Sequence, residues 1–292
     1  MTDSDPTSER PPSGAETARA GEGRSRLPLG VLLTVAYDGS SFSGFARQPT
    51  ARTIAGELDG AVRAVVPGAS LVRGASRTDA GVHALGQRVA FDVAQALPAR
   101  GWVHALNAQL PKEIVVVRAA SVPPGYEPRF RALEKTYRYV LLESSVPDPF
   151  LAGRAWRIGD RLNHEAMRAA AAPLVGEHDF AAFRGAADER ENTVRKIFRI
   201  EVRSARGDGP PTTAIEVCGN GFLYRMVRII VGSLVDIGCG RLEPDAVVRA
   251  LSDRDRTSLG RTAPPDGLCL DRIVLDDEGT DAWPDPGTPR GI

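Results

Sequence analysis

The sequence lacks the residue patterns of metal sites and disulfide scaffolds. It has three cysteines and four histidines, and no two of them have the short spacing of a zinc or other metal ligand set. The cysteines, Cys218, Cys239 and Cys269, are far apart and odd in number, which excludes a disulfide-stapled scaffold and favours a reducing compartment. We therefore expect neither a metal site nor a disulfide.

The sequence also lacks long apolar runs. The first 26 residues contain no apolar core of the kind that a secretory signal needs. The longest later apolar stretch, around Ile229 to Val235, is far shorter than the ~20 residues that cross a membrane as a helix. These absences predict a cytoplasmic protein with no membrane contact.

Lysine is scarce, and charge of one sign does not prevail. The only lysines are Lys112, Lys135 and Lys196, so arginine supplies almost all of the 37 basic residues, and 37 acidic residues balance them. A globally basic nucleic-acid surface is thereby excluded, and an anionic partner must meet a local patch. A GC-rich genome explains the arginine excess better than function does, and the excess is only compatible with RNA binding, in which guanidinium groups hold phosphates and stack on bases.

What remains is an ordinary globular composition. The 292 residues are 42% hydrophobic and 25% charged, which at ~100–200 residues per domain predicts two domains. Residues 1–26 are polar and rich in proline and glycine, so they are predicted to be a disordered tail. We place an N-terminal α+β domain at 27–127 and a C-terminal α+β domain at 128–292, with the boundary near Pro123, Pro124 and Gly125.

Periodicity predicts the element order βαββαβ in the first half. Residues 31–38 are apolar and β-branched, as in a buried strand, and Thr53 is a suitable N-cap for a helix that ends near Pro67. The further elements predicted here are strands at 70–75, 87–93 and 113–121, and a helix at 98–110.

The second half is predicted to repeat this order with one extra short helix. Its elements are strands at 130–143, 194–203, 213–218 and 268–275, and helices at 163–174, 222–237 and 244–251. The fold class that follows is α+β, with two ferredoxin-like βαββαβ halves and antiparallel sheets.

The most informative segment lies between two predicted strands, at Gly74 to Gln87. It presents Asp79 on a tight loop at the end of a sheet, where functional side chains are commonly carried. Arg77, two residues away, can keep that carboxylate ionised, as a nucleophile requires. The alternative is structural, because an aspartate that caps a turn and pairs with a nearby arginine has the same spacing.

The motif RTDAGVHA, residues 77–84, resembles the signature of the TruA family of tRNA pseudouridine synthases. Six further motifs resemble that family in the same order and cover essentially everything after the tail, which makes the turn-cap interpretation of Asp79 much weaker. They are YDGSSFSGF at 37–45, KTYRY at 135–139, HDFAAFRG at 178–185, NTVRKI at 192–197, GFLYRMVRIIVGSLVDIG at 221–238 and APPDGLCL at 263–270.

This resemblance implies the pseudouridine synthase fold, Asp79 as the catalytic nucleophile and Tyr137 as an active-site aromatic that stacks on the target base. It also implies that Leu268 packs against that base, although a leucine that opens a strand more often belongs to the core. The chain departs from the family pattern at Phe45, Ala46, Ser76 and Arg225, which puts details of substrate contact in doubt but does not affect Asp79, Arg77 or Tyr137.

The implied reaction isomerises uridine to pseudouridine at tRNA positions 38, 39 and 40, in the anticodon stem-loop. It involves no net oxidation and no energy input, so no cofactor is expected, in agreement with the lack of a P-loop or dinucleotide fingerprint. The resemblance further implies a homodimer with tRNA as partner. Arginines in or beside the motifs are the candidate RNA contacts, although each has a solvated charged face as its alternative; they are Arg47, Arg73, Arg184, Arg195, Arg225 and Arg228.

Two other function classes remain open at the level of residues. Paired βαββαβ sheets also occur in RNA-binding proteins without activity, but such a protein has no reason to hold Asp79 where RNA phosphates would be repelled. A hydrolase of nucleosides with an aspartate nucleophile would release free uracil, which we do not expect.

Overall fold

The structure, a computed structural model, describes residues 29–205 and 209–284. Within these residues the chain forms eleven strands, five α-helices and three 3₁₀ helices. The tail predicted at 1–26 lies outside the described residues. The strands are β1 Leu29–Tyr37, β2 Arg73–Gly74, β3 His83–Val93, β4 Ile114–Val122, β5 Ala132–Glu143, β6 Trp156–Ile158, β7 Gly176–Asp179, β8 Val194–Ala205, β9 Thr212–Gly219, β10 Leu268–Leu275 and β11 Thr280–Trp283.

The helices lie where apolar periodicity and capping residues place them. The Thr53 hydroxyl accepts a hydrogen bond of 3.2 Å from the Gly56 N–H and caps the first α-helix, which buries Ile54 and Leu58. Asn163 caps the third in the same way. The α-helices are α1 Ile54–Val65, α2 Ala99–Asn107, α3 His164–Ala171, α4 Met226–Gly238 and α5 Ala246–Asp253, and the 3₁₀ helices are Ala172–Leu174, Ala181–Phe183 and Arg256–Ser258.

All described strands belong to one mostly antiparallel sheet. Its order is β11-β4-β1-β3-β10-β5-β9-β8-β7, with β2 paired to β3 and β6 paired to β5. The α+β class with antiparallel pairing is thereby confirmed, and the two predicted halves share a single sheet. The domain boundary at 127/128 stays a prediction.

The seam between the halves is a short parallel pairing of β3 with β10. Cys269 pairs with His83, and Leu270 pairs with Ala84. On its other side β10 pairs with β5 in antiparallel register, where Leu270 lies opposite Tyr137. The loop that precedes β3 and the start of β10 therefore meet at the centre of the sheet.

Three short strands and one helix start differ from the sequence predictions. The strands β6, β7 and β11 have three or four residues, too few for a recognisable alternation. The helix predicted from residue 222 begins at Met226, because Arg225 has φ 60° and ψ 7°, in the left-handed region. No helix among the described residues is long and apolar enough to cross a membrane.

Candidate active site

Asp79 lies on the loop between β2 and β3, and a neighbouring loop clamps it from the side. The Phe45 N–H donates to the Thr78 carbonyl at 3.0 Å, and the Val82 N–H donates to the Asp79 carbonyl at 3.2 Å. Gly44 has φ +94°, and a Cβ there would lie 2.8 Å from the Thr78 carbonyl oxygen. Only glycine lets these two backbones approach so closely.

Buried polar side chains also form hydrogen bonds with the loop that carries Asp79. Gln87, which is fully buried, donates to the Ser76 carbonyl at 2.8 Å and accepts from the Ser76 N–H at 3.3 Å. The Tyr37 hydroxyl lies 2.8 Å from the Thr78 hydroxyl. Ser76, Thr78 and Asp79 are thus each held by a backbone or side-chain hydrogen bond, and the scaffold sets the position of the Asp79 carboxylate.

The carboxylate of Asp79 forms a salt bridge with Arg228 of α4. Arg228 Nη1 lies 3.1 Å from Asp79 Oδ2, and the two side chains are 11% and 22% exposed. Arg228 Nε donates to the Ala263 carbonyl at 2.7 Å, which fixes the plane of the guanidinium. Asp79 Oδ1 has no partner among the described residues. One oxygen is therefore held and the other is free.

The close packing of α4 on the segment that carries Ala263 makes this salt bridge possible. A Cβ on Gly232 would lie 1.8 Å from the Arg261 carbonyl oxygen, so the helix can approach this segment only with glycine there. The Ala263 N–H also donates to the Arg228 carbonyl at 3.0 Å. Ala263 consequently holds Arg228 at two points, its carbonyl binding the guanidinium and its N–H binding the Arg228 carbonyl.

Tyr137 lies on β5 beside the Asp79 loop. The residue is 6% exposed, its hydroxyl is 3.3 Å from the Ser76 hydroxyl, and its ring forms a T-shaped contact with the Phe222 ring at a centroid distance of 5.4 Å. Burial raises the pKa of the Tyr137 phenol to about 12, despite the opposing hydrogen bond from Ser76. The phenol therefore stays protonated at neutral pH.

A cavity of about 980 Å³ opens above these residues. Its volume is at the upper end of the ~300–1,000 Å³ range of ligand pockets, and its walls are more polar than those of most ligand pockets. Six of the eight predicted site residues line it, namely Arg77, Asp79, Tyr137, Arg225, Arg228 and Leu268.

Arg77 does not pair with Asp79, which corrects the expectation drawn from their spacing. Its side chain is exposed and forms no ion pair or hydrogen bond with the described part of the chain. Asp79 instead faces α4, and Arg228, 149 residues further on, supplies the opposite charge. A contact of that separation cannot be seen from spacing, and it leaves Arg77 available at the cavity wall.

Arg225 and Arg228, both candidate RNA contacts, do not lie on a common solvent-exposed face of α4. Every residue of α4 except Arg228 is buried, so the helix has no solvent face. Arg225 precedes the helix, is exposed, and holds its guanidinium 4.8 Å from the centre of the Tyr224 ring. The two arginines thus have different environments: one is paired and the other is free of ion pairs among the described residues.

The remaining candidate arginines serve local structure. Arg184 donates to the Arg190 carbonyl and Arg195 to the Val194 carbonyl, and neither lines the cavity. Arg47 and Arg73 do line it, but they form salt bridges with Asp59 and Asp92. Their charges are therefore already compensated.

Two residues of this cavity were not singled out from the sequence. Lys135 donates to the Ala75 carbonyl at 2.8 Å, at the base of the Asp79 loop, and burial together with nearby arginines lowers its pKa to about 8. Asp188 accepts a hydrogen bond from the Tyr224 N–H at 2.7 Å. Lys135 is the first residue of the KTYRY motif, but Asp188 lies between two motifs, and no sequence pattern indicated it.

No group of three or more His, Cys, Asp or Glu side chains in residues 29–205 and 209–284 could hold a metal ion. The three cysteines are all free thiols. That the reaction needs no metal or cofactor stays a prediction.

The chain resembles a protein family and several curated proteins. A family model described as tRNA pseudouridine synthase matches residues 33–131 and 170–274. Three curated relatives bear the name tRNA pseudouridine synthase A. The one from Halalkalibacterium halodurans is 42% identical over 243 residues, which are 83% of this chain and 91% of the relative. Those from Geobacter sp. strain M21 and Bacillus subtilis strain 168 are each 40% identical and cover 83% and 84% of this chain and 97% and 99% of their own lengths.

Solved structures give a weaker likeness. A chain of a Cbf5-Nop10-Gar1 complex aligns with a TM-score of 0.34 at 13% identity, over 84% of this chain and 51% of that chain. A chain of an H/ACA RNP bound to a substrate RNA containing 2′-deoxyuridine aligns with a TM-score of 0.31 at 13% identity, over 70% of this chain and 44% of that one. The present chain thus spans about half of the length of either, and likenesses of this size add nothing to the fold described above.

Proposed function

The chain belongs to the tRNA pseudouridine synthase family, and from that premise we propose that it isomerises uridines 38, 39 and 40 in the anticodon stem-loop, with Asp79 as the catalytic nucleophile. The observation that carries this proposal is the state of the Asp79 carboxylate. One oxygen is held by Arg228 at 3.1 Å, and the other is free at the wall of a cavity of about 980 Å³.

The reaction breaks the bond between N1 of uracil and C1′ of ribose and forms a bond between C5 and C1′. The C5 proton is lost and N1 gains one, so atoms and electrons balance without a co-reactant. A carboxylate suits each of the three possible roles, which are attack on the sugar, attack on the base and removal of a ribose proton. All three need a charged, unpartnered oxygen that faces the nucleoside, which is what Asp79 Oδ1 offers.

Tyr137 and Leu268 form the surface on which we place the base. The target uridine must leave its stack to enter the cavity, and an aromatic face offsets part of that cost. Because the pKa of Tyr137 is raised to about 12, we assign its hydroxyl the role of hydrogen-bond donor rather than base. Phe222 holds the ring by an edge-to-face contact at 86°.

Arg77 and Arg225 are the proposed phosphate contacts at the cavity. Both are exposed, both line it, and neither forms an ion pair among the described residues. Arg228 is instead proposed to position Asp79. We further propose a cytoplasmic homodimer, in agreement with the family resemblance; a monomer in light scattering at assay concentration would contradict the dimer.

The test is tritium release from C5 of [5-³H]uridine-labelled tRNA, with Asp79→Asn as the matched variant. We expect the variant to lose at least roughly 10⁴-fold in kcat, because loss of a nucleophile removes the covalent route, while its affinity for tRNA is retained. Mapping of the product should place pseudouridine at positions 38 to 40.

Three results would contradict the proposal. Full release by Asp79→Asn would remove Asp79 as nucleophile. Binding without release by the unmodified protein, on a tRNA with uridines at these positions, would favour an RNA-binding protein. Free uracil would indicate hydrolysis.

A further inference from the structure

Two phenylalanines are largely exposed. Phe130 is 81% exposed and Phe150 is 89% exposed, more than any other large apolar side chain among the described residues. A single exposed apolar residue is ordinary on a protein surface. The position of Phe130 sets it apart, since it lies at the rim of the cavity that holds Asp79.

Two contacts of Phe130, and one of its neighbour Glu127, place Phe130 at this rim. Its N–H donates to the Glu127 carbonyl at 3.1 Å, and Glu127 lines the cavity. Glu127 is in turn 3.2 Å from Arg73, another lining residue. The guanidinium carbon of Arg129, also a lining residue, lies 5.9 Å from the centre of the Phe130 ring.

Arg129 contributes a positive charge at this rim. Arg129 forms no ion pair among the described residues, and its guanidinium lies beside the aromatic ring rather than a carboxylate. An exposed aromatic face next to an uncompensated guanidinium is the combination that binds single-stranded nucleic acid, since the ring stacks on a base and the cation meets a phosphate.

We infer that Phe130 and Arg129 form a stacking platform for an unpaired base of the RNA substrate, at a nucleotide next to the one that enters the cavity. This inference rests on the proposed function. We assign the platform to a neighbouring base rather than to the target base, because Tyr137 lines the cavity and Phe130 does not. Phe130 precedes β5, whose first residue, Ala132, is five residues or about 17 Å of extended strand from Tyr137.

Phe150 provides a matched control. It is at least as exposed as Phe130, but it lies in the loop between β5 and β6, no residue of which lines the cavity. Its N–H donates to the Asp148 carboxylate at 2.8 Å, so a negative charge lies beside its backbone and does not favour RNA. Both side chains are exposed, and truncation of either one should leave the fold intact.

The experiment measures KM and kcat on an anticodon stem-loop RNA for Phe130→Ala, Phe130→Trp and Phe150→Ala. We expect Phe130→Ala to raise KM by roughly 5- to 150-fold, which corresponds to the ~1–3 kcal/mol of one base stacked on an aromatic side chain, with little change in kcat. Phe130→Trp should restore KM, and Phe150→Ala should behave as the unmodified protein. The salt dependence of binding should not change, because stacking releases no counterions.

A second readout is independent of catalysis. 2-Aminopurine is placed in turn at each unpaired loop nucleotide beside positions 38 to 40, and its fluorescence is followed on binding. One position should be quenched by the unmodified protein and by Phe130→Trp, but not by Phe130→Ala.

The outcomes that overturn the platform differ from those that overturn the proposed function. Unchanged KM and quenching in Phe130→Ala, with the unmodified protein active, would reject the platform alone. A change of oligomeric state in Phe130→Ala would reject it in favour of an interface between copies of this chain. If the unmodified protein makes no pseudouridine at positions 38 to 40, the proposed function fails, and the quenching pattern still decides whether Phe130 stacks on a base.

Discussion

Two aspartates line the same cavity and are bonded in opposite ways. Asp188 accepts hydrogen bonds on both oxygens, from the side chain and N–H of Arg190 and from the Tyr224 N–H. Asp79 uses one oxygen for Arg228 and leaves the other open. Hydrogen bonds from Arg190 hold the pKa of Asp188 well below its usual range.

The difference shows that a strongly shifted pKa does not by itself identify a catalytic group. Asp188 has no oxygen left for a substrate, and its bonds to Tyr224 and Arg190 fix the segment that carries Phe222 and leads into α4. Asp79 has less support and more freedom to react. A carboxylate whose two oxygens both accept hydrogen bonds from the protein stabilises the fold. A carboxylate with one unbonded oxygen beside a cavity can react with a substrate.

Of the effects that test this comparison, the largest is on kcat and comes from substitution of Arg228, which is the partner of Asp79 and not of Asp188. Arg228→Gln should lower kcat by roughly 10²–10³-fold, as loss of a preorganised electrostatic contact does, because Asp79 loses the group that orients it. KM should change little, since the paired guanidinium offers little charge to RNA. Single-turnover tritium release with saturating protein separates the two constants.

Arg228→Lys is the matched variant, because it keeps the charge but cannot hold Asp79 and the Ala263 carbonyl with one rigid fork. It should recover part of kcat. If Arg228→Gln raised KM and left kcat unchanged, Arg228 would be a phosphate contact and not a positioning residue.

The second effect is on stability. Asp188→Asn should lower the free energy of unfolding by about 2–3 kcal/mol, because it breaks a buried, charge-assisted network. The folded pKa of Asp188 lies below the ~3.9 of an unfolded chain. Its carboxylate therefore stabilises the fold above about pH 4, and this contribution is lost as the pH falls toward the folded pKa.

Urea unfolding at pH 7 and at pH 3 checks this prediction. The difference between Asp188→Asn and the unmodified protein should be full at pH 7 and smaller at pH 3. A difference that stays constant over this range would show that the ionised carboxylate is not what stabilises the loop.

The smallest effect concerns RNA affinity. The double variant Arg77→Gln, Arg225→Gln should raise Kd for tRNA by roughly tenfold and reduce the slope of log K against log salt by about 2, or about 1 for each phosphate contact. Titrations at several salt concentrations measure both. Arg249→Gln is the control, since Arg249 lies on α5, away from the cavity, in an exposed pair with Asp245.

An equal loss of slope in Arg249→Gln would show that the effect is only one of net charge. An unchanged slope in the double variant would remove Arg77 and Arg225 from the RNA footprint.

Much of the fold could be predicted from local signals. The N-cap at Thr53, the buried strand β1 and the repeat of βαββαβ follow from capping chemistry and apolar periodicity, which act over a few residues. The short strands β6, β7 and β11 could not, because tertiary pairing creates them. The same limit explains α4, whose start depends on the backbone conformation of Arg225 rather than on propensity.

The candidate site also has features that the sequence predicts and features that only the structure shows. The position of Asp79 on a glycine-flanked loop was visible in the sequence, and so was the motif around Tyr137. The salt bridge to Arg228 was not, because it joins residues 149 positions apart. Spacing favoured Arg77 as the partner, and only the packing of α4 against the loop shows otherwise.

The parallel pairing of β3 with β10 has a consequence for synthesis of the chain. Asp79 is translated early, but β10, which begins at Leu268, completes the sheet beside its loop. At about 5–20 residues per second, the ribosome needs roughly 10–40 s to pass from one to the other. Nascent chains therefore carry Asp79 well before Arg228 and β10 complete its surroundings, and a ribosome-bound fragment that lacks α4 and β10 cannot form the candidate site while tRNAs are still decoding its own message.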